Sequence, residues 1–519
     1  MHDPKLLEEA VAGLPDDVVR SPLFNADLAP VPEGRRDWTA YNFAALWISM
    51  AHCIPTYTLA GGLMAAGMNW WQALLTIGLG NIIVLVPILL NAHPGTKYGV
   101  SFPVLARASF GTTGANVPAL LRAFVACGWF GINVYIGGEA LKTFLCSFWP
   151  AFASVGGGVT IAGLGVPSAL TFLVFWAMNI LIVYRGMNAI RVFENWAAPI
   201  VLVLAAVLLG WVMNRADGVG PLLAQPSRFP TLGAFWPVFV PSLTAMIGFW
   251  STLSLNIPDF TRYGRGQREQ AIGQALGLPT TMIAFSAMAV VITSASAAIL
   301  PGAKVADLWN PEHLLGIMTS GAVPEGLSAP LLPDPAVRAV VAVVAVMGIL
   351  LATLSVNIAA NVVSPAQDFA NVAPRHVSFQ TGGLLTGIFG ILCMPWKLMA
   401  DPATYLDGWL GGVGALLGPV AGIMIADYWL VRRRTLDVHA LFRPDGPHAG
   451  TNPVAVVALL VGVAPNLPGF LGRIGVLDAV PAAFQALYPY AWFTGVALAG
   501  IAYTLGMRAR AASVAPSSP

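Results

Sequence analysis

Trp250-Ser251-Thr252-Leu253-Ser254-Leu255-Asn256-Ile257-Pro258-Asp259-Phe260-Thr261 sets a proline inside a long apolar run, and an earlier stretch repeats its pattern. There, six residues separate Trp47 from Ile54-Pro55-Thr56-Tyr57-Thr58, the same spacing that separates Trp250 from Ile257-Pro258. Proline removes a backbone donor and clashes with the preceding turn, so each run is expected to kink or break there. Membrane helices broken at matching places in two halves of a chain point to a transporter binding site between those halves.

The composition around these runs agrees. The 519 residues are 57% hydrophobic and only 10% charged, with a mean hydropathy of +0.73, whereas soluble domains carry about 25% charged residues. Apolar segments fall at 41–64, 71–91, 115–145, 166–184, 193–213, 234–258, 274–300, 338–363, 378–399, 403–430, 453–472 and 485–507, which gives about twelve spans. A net charge of +2 argues against a nucleic-acid partner. Cys53, Cys127, Cys146 and Cys393 are scattered without metal-ligand spacing and read as small buried hydrophobes.

With a cytoplasmic N-terminus, all but seven of the 26 Lys and Arg residues fall inside; Lys142, Arg215, Arg228, Lys304, Arg338, Lys397 and Arg473 fall outside. The positive-inside rule therefore places both termini in the cytoplasm and gives the two proline-bearing segments opposite orientations. The expected fold is an all-α polytopic membrane protein, two inverted repeats of five helices plus two C-terminal helices. Its divisions are a cytoplasmic N-terminal segment (1–40), a first repeat (41–213), a second repeat (234–430), helices 11 and 12 (453–507) and a cytoplasmic tail (508–519). That tail is small and polar and reads as disordered. Residues 95–111 read as a short amphipathic segment against the cytoplasmic face, and Arg262, Arg265 and Arg268 as marks of topology.

Polar groups within spans cost free energy unless they find partners, so their grouping is informative. Trp129 and Asn133 lie four residues apart on one helical face, as do Asn357 and Asn361, near Ser355 and Ala352. Gly248-Phe249-Trp250 precedes the second proline, where glycine permits an unwound backbone and the aromatic rings can face a ligand. Two indoles and two amides suit a planar heterocycle with donors and acceptors on its rim. Tryptophans also serve as packing or interfacial anchors and asparagines bond neighbouring helices, so the grouping with a broken helix is what favours a site.

Cys127-Gly128-Trp129-Phe130-Gly131-Ile132-Asn133, the preceding Phe102-Pro103-Val104-Leu105-Ala106-Arg107-Ala108-Ser109-Phe110-Gly111, Asn256-Ile257-Pro258-Asp259-Phe260-Thr261-Arg262-Tyr263 and Ala426-Asp427-Tyr428 resemble the nucleobase-cation symporter family. That family holds permeases for cytosine, purines, uracil, thiamine, allantoin and hydantoins. The resemblance runs from about Leu23 to Ala502. It implies a leucine-transporter-like fold, with substrate at mid-membrane between segments one, three, six and eight. By the same resemblance Trp129 and Trp250 sandwich the ring, Gly248 and Phe249 offer backbone contacts, and Asn361 bonds the rim. Asn133 stands where many members carry glutamine, one methylene longer.

The family's sodium site maps to the carbonyls of Ser49, His52 and Ala352 and the Ser355 hydroxyl. Val356 stands where the sodium-coupled hydantoin carrier has a threonine, and the loss of one oxygen ligand weakens a hard-cation site. Protons are the alternative coupling ion, with His52, Asp259 or Glu139 as candidates. The expected function is a secondary symporter importing a planar nitrogen heterocycle across a bacterial inner membrane by alternating access, with Na+ or H+ as coupling ion, no other cofactor, and no partner beyond substrate and bilayer. A passive channel for the same solutes is the rival. A membrane-embedded enzyme is disfavoured, because Glu139, Asp259 and Asp427 sit in different helices and make no convergent acid–base set.

Overall fold

A computed structural model of the chain describes residues 14–185, 187–219, 223, 226–300, 311–401 and 403–514. Lys5 and Lys304 of the topology reading lie outside these residues, as do 1–13 and 515–519 of the two terminal segments. Ala40–Ala51 (α1) and Ile54–Ala65 (α2) form one span bent by 60°. Trp70–Tyr98 (α3), the short Phe102–Phe110 (α4) and Asn116–Phe148 (α5) follow. A two-stranded antiparallel hairpin comes next, Thr160–Ile161 (β1) and Leu164–Gly165 (β2), with Thr160 opposite Gly165. Val166–Tyr184 (α6) and Met187–Arg215 (α7) close the first half.

The second half opens with Leu232–Phe249 (α8) and Ser251–Asn256 (α9), then Gln267–Ile299 (α10), Pro335–Asn361 (α11), Val363–Val372 (α12) and Phe379–Leu392 (α13). A span over Thr404–Val431 has π-helical turns at both ends of Gly411–Ile425 (α14). Pro453–Val463 (α15) and Leu467–Arg473 (α16) form a pair bent by 46°, and Ala491–Val514 (α17) is last. Among the described residues eight helices are long and apolar enough to cross a membrane, or ten with each bent pair counted as one span. Leu202–Arg215 and Phe379–Leu392 are shorter apolar helices, and the expected segments 41–64, 234–258 and 453–472 each cover two helices rather than one.

Local chemistry sets the ends. Asn69 caps α3 by accepting from the Gln72 N–H at 3.0 Å while Gln72 returns a bond to the Asn69 N–H, and Gly99 ends it at φ 71°. The prolines of the repeat do not themselves make the breaks. Pro55 sits in the first turn of α2 and Pro258 opens the turn Pro258–Thr261, positions where a missing N–H costs nothing. The interruptions fall upstream, at His52–Cys53 and at Trp250, whose φ of −105° and ψ of 8° separate α8 from α9.

The two broken helices meet. Trp47 and Trp250, equivalent in the repeat, pack edge to face with ring centroids 5.1 Å apart, both buried. α10 lies so close over α1 that a Cβ on Gly277 would stand 2.8 Å from Trp47 Cβ. Ile82 and Val86 of α3 are 52% and 56% exposed, apolar surface that suits lipid rather than water.

The face that carries α4, the strap from Leu14 and the last turns of α17 differs from expectation. Every residue of α4 is buried, so it is an inserted helix and not an amphipathic one lying on the surface. Arg107 is fully buried because its guanidinium donates to Asn371 Oδ1 (2.7 Å) and to the carbonyls of Leu441 and Leu23 (both 3.2 Å). The N-terminal segment straps across: the Val31 N–H donates to the Gly99 carbonyl at 2.8 Å and Asn25 Nδ2 to the Pro374 carbonyl at 2.8 Å. Arg262 donates to the Asp27 carbonyl at 3.1 Å, a structural role beyond topology. α17 runs on through Val514, so residues 508–514 are helical rather than a disordered tail.

Candidate substrate-binding site

The break in each half leaves backbone and aromatic groups facing α5, α11 and the Thr404–Leu410 turn. Trp129 of α5 meets Phe249 at a centroid distance of 5.1 Å, Trp409 at 5.8 Å and Tyr405 at 6.3 Å, all steeply edge to face. Phe249 meets Trp250 at 4.9 Å. Trp129 and Trp250 are thus brought to one cluster, with Phe249 touching both. Gly248 remains helical; a Cβ there would collide with the Leu410 carbonyl, and its Cα lies near Gly414, so it sets a close approach of α8 to the Thr404–Val431 span.

The cluster is apolar in its walls but not in its edges. Among the described residues the indole N–H groups of Trp47, Trp129, Trp250 and Trp409, the Oδ1 of Asn133 and the Nε2 of His52 are buried without a hydrogen-bond partner. Buried polar atoms are nearly always paired, so these donors and acceptors stand out around the two broken helices. Asn133 uses its amide nitrogen on the Trp129 carbonyl at 3.0 Å, which turns its oxygen away from its own helix. Asn361 Nδ2 donates to Asn357 Oδ1 at 3.1 Å, and Asn357 Nδ2 to Asn179 Oδ1 at 3.0 Å. This ladder orients Asn361 from behind.

The cation candidates are brought together in part. Ser49 and Ser355 hydroxyls stand 3.5 Å apart across α1 and α11. The Cys53 N–H turns to the Ala51 carbonyl at 3.0 Å, leaving the Ser49 carbonyl without its usual helical partner. Ala352 and Val356 are buried alongside on α11, and the Val356 side chain, ending in methyl groups, adds no oxygen there. His52 packs its ring on Phe285 of α10 at 4.3 Å. Glu139 pairs with Lys142, and Asp259 accepts from the Phe102 N–H at 2.7 Å near the strapped face.

Contacts close both sides of the cluster. Toward the hairpin face, the Tyr405 hydroxyl donates to the Pro55 carbonyl at 3.4 Å and Trp409 packs on Gly128. Toward the strapped face, Arg122 and Asp368 form an ion pair at 3.3 Å with both side chains fully buried. With its amide turned to satisfy both ends, Asn256 accepts from Ser364 at 2.6 Å and from Arg122 at 3.0 Å. Tyr405, Trp409, Asn179 and the Arg122–Asp368 pair were not among the sequence candidates. Arg122 lies within the apolar segment 115–145, but Asp368 falls between the segments 338–363 and 378–399, so only half of that pair stood out in the sequence.

Two broken helices that meet beside a buried aromatic and amide cluster define a membrane transporter built from inverted repeats. The chain belongs to the nucleobase-cation symporter family: the family model described as permease for cytosine/purines, uracil, thiamine, allantoin matches residues 30–495. It is 39% identical over 493 residues to an allantoin permease of Bacillus subtilis, covering 94% of this chain and 93% of that one. It is 42% identical to a purine-uracil permease of Arabidopsis thaliana, covering 93% and 78%. Among solved structures, Mhp1 in a closed conformation with bromovinylhydantoin bound superposes with a TM-score of 0.70 at 25% identity, covering 96% of this chain and 98% of that one. The inward-facing conformation of Mhp1 gives the same score. These likenesses establish a leucine-transporter-like fold.

Proposed function

We propose that this permease is a symporter that imports a planar nitrogen heterocycle of the allantoin, hydantoin or nucleobase type, with both termini cytoplasmic in a bacterial inner membrane. The observation that carries the reading is the set of indole N–H groups around the two broken helices, with the Asn133 oxygen one turn from Trp129, that lack a partner among the described residues. Trp129 and Trp250 act as the ring walls once Phe249 yields, Asn133 and Asn361 address the rim, and Gly248 and Phe249 supply backbone contacts. An amide both donates and accepts, which matches the alternating N–H and C=O edge of such rings. The names of the relatives fit the same solute class.

For the coupling ion the oxygens fit sodium only in part. Ser49, His52 and Ala352 carbonyls and the Ser355 hydroxyl form an incomplete set beside Val356, and hard cations require several oxygens. We infer proton coupling instead, with His52 as the carrier, since it alone of His52, Asp259 and Glu139 lies in the helix break. Uptake of labelled allantoin, hydantoin and uracil into proteoliposomes, with a pH gradient or a sodium gradient applied singly, tests this. Accumulation driven by the pH gradient is expected. Accumulation driven by sodium alone overturns proton coupling, and equilibration without accumulation overturns symport in favour of a passive facilitator.

A further inference from the structure

A cavity of about 300 Å³ lies on the strapped face and is lined by Arg36, Lys97, Arg265, Glu33, His93 and Gln267 among others. Three cations converge there against one carboxylate. Arg36 donates through Nε to the Val31 carbonyl at 2.9 Å and through a terminal nitrogen to those of Thr96 and Lys97. Lys97 Nζ donates to the Arg434 carbonyl at 2.8 Å. The Arg265 guanidinium is exposed and has no side-chain partner among the described residues. Among the described residues none of the three is in an ion pair within 4 Å, and Glu33, the one carboxylate in the lining, offsets only one of the three positive charges.

The cavity also has a depth. His93 packs its ring against Trp429 at 5.1 Å, and the Trp429 indole donates to the Leu90 carbonyl at 3.2 Å; tryptophans gather at the level of lipid headgroups. On α3, Val86, His93 and Lys97 share one helical face by their seven- and four-residue spacing. The exposed apolar stripe that includes Ile82 and Val86 therefore runs into the basic cavity. Basic pockets between spanning helices on the cytoplasmic side hold anionic headgroups.

The geometry points to a phosphate-binding site in this cavity, filled by the phosphodiester of an anionic lipid whose chains lie along the Ile82–Val86 stripe, or by free phosphate. Arg36, Lys97 and Arg265 supply the charge, and the occupant bridges the N-terminal strap to the end of α3.

Delipidated full-length protein can be titrated with phosphatidylglycerol or phosphatidylcholine and followed by native mass spectrometry, with inorganic phosphate tested separately by thermal shift. One phosphatidylglycerol should be retained over phosphatidylcholine. Lys97→Gln with Arg265→Gln should weaken it by about thirtyfold, and Arg268→Gln, in the first turn of α10 and outside the cavity, should not. A thermal shift with inorganic phosphate that is lost in the double variant, without retained phosphatidylglycerol, assigns the site to free phosphate. Equal retention by the double variant and the parent, or no response to either ligand, overturns the proposal.

Discussion

Trp129 touches Phe249, Tyr405 and Trp409 while its own indole N–H has no partner among the described residues, so it has both a packing role and a spare donor. Ring stacking on an aromatic side chain is worth about 1–3 kcal/mol. Trp129→Ala should therefore lower heterocycle affinity by roughly five- to over a hundredfold, read by quenching of the remaining tryptophans. Trp129→Phe separates the two roles: it should keep the thermal stability of the parent and recover much of the binding, short of the donor's share. Unchanged affinity in Trp129→Ala would remove this ring from the site. Trp129 and Asn133 were legible in the sequence because a four-residue spacing on a helix puts them on one face. Tyr405, Trp409 and Asn179 were not, because only tertiary packing brings their helices to α5 and α11.

At the scale of elements, the ion pair between Arg122 on α5 and Asp368 on α12 locks together helices distant in sequence. Both groups are fully buried, so removing one leaves an uncompensated charge, at a cost of about 3–5 kcal/mol. Arg122→Leu should lower the unfolding temperature sharply, and Arg122→Leu with Asp368→Leu should regain most of that loss. Equal destabilisation by the single and double variants would show that the pair contributes packing and not charge balance. Arg122 counted in the sequence only as one more basic residue near a helix end, since nothing local names a partner 246 positions away. The breaks show the same division. Proline at matching spacings located both broken helices, yet the interruptions sit at His52–Cys53 and Trp250, because proline is accommodated in a first turn and the strain is taken up before it.

For the molecule as a whole, transport requires the elements around the site to move against one another, and Ser49 with Ser355 marks where α1 and α11 touch. A chain carrying Ser49→Cys and Ser355→Cys should bind substrate after oxidation but lose most uptake in proteoliposomes, with recovery on reduction. Undiminished uptake by the cross-linked protein would mean that α1 and α11 travel together. The contact of Trp47 with Trp250 carries a further consequence. A residue that packs on its own counterpart is what an isologous interface produces, where one patch serves both partners. The two halves of this chain meet as the subunits of a two-fold dimer do. A change of size at one indole is thus felt directly by the other, and the two positions act on the junction of the halves together.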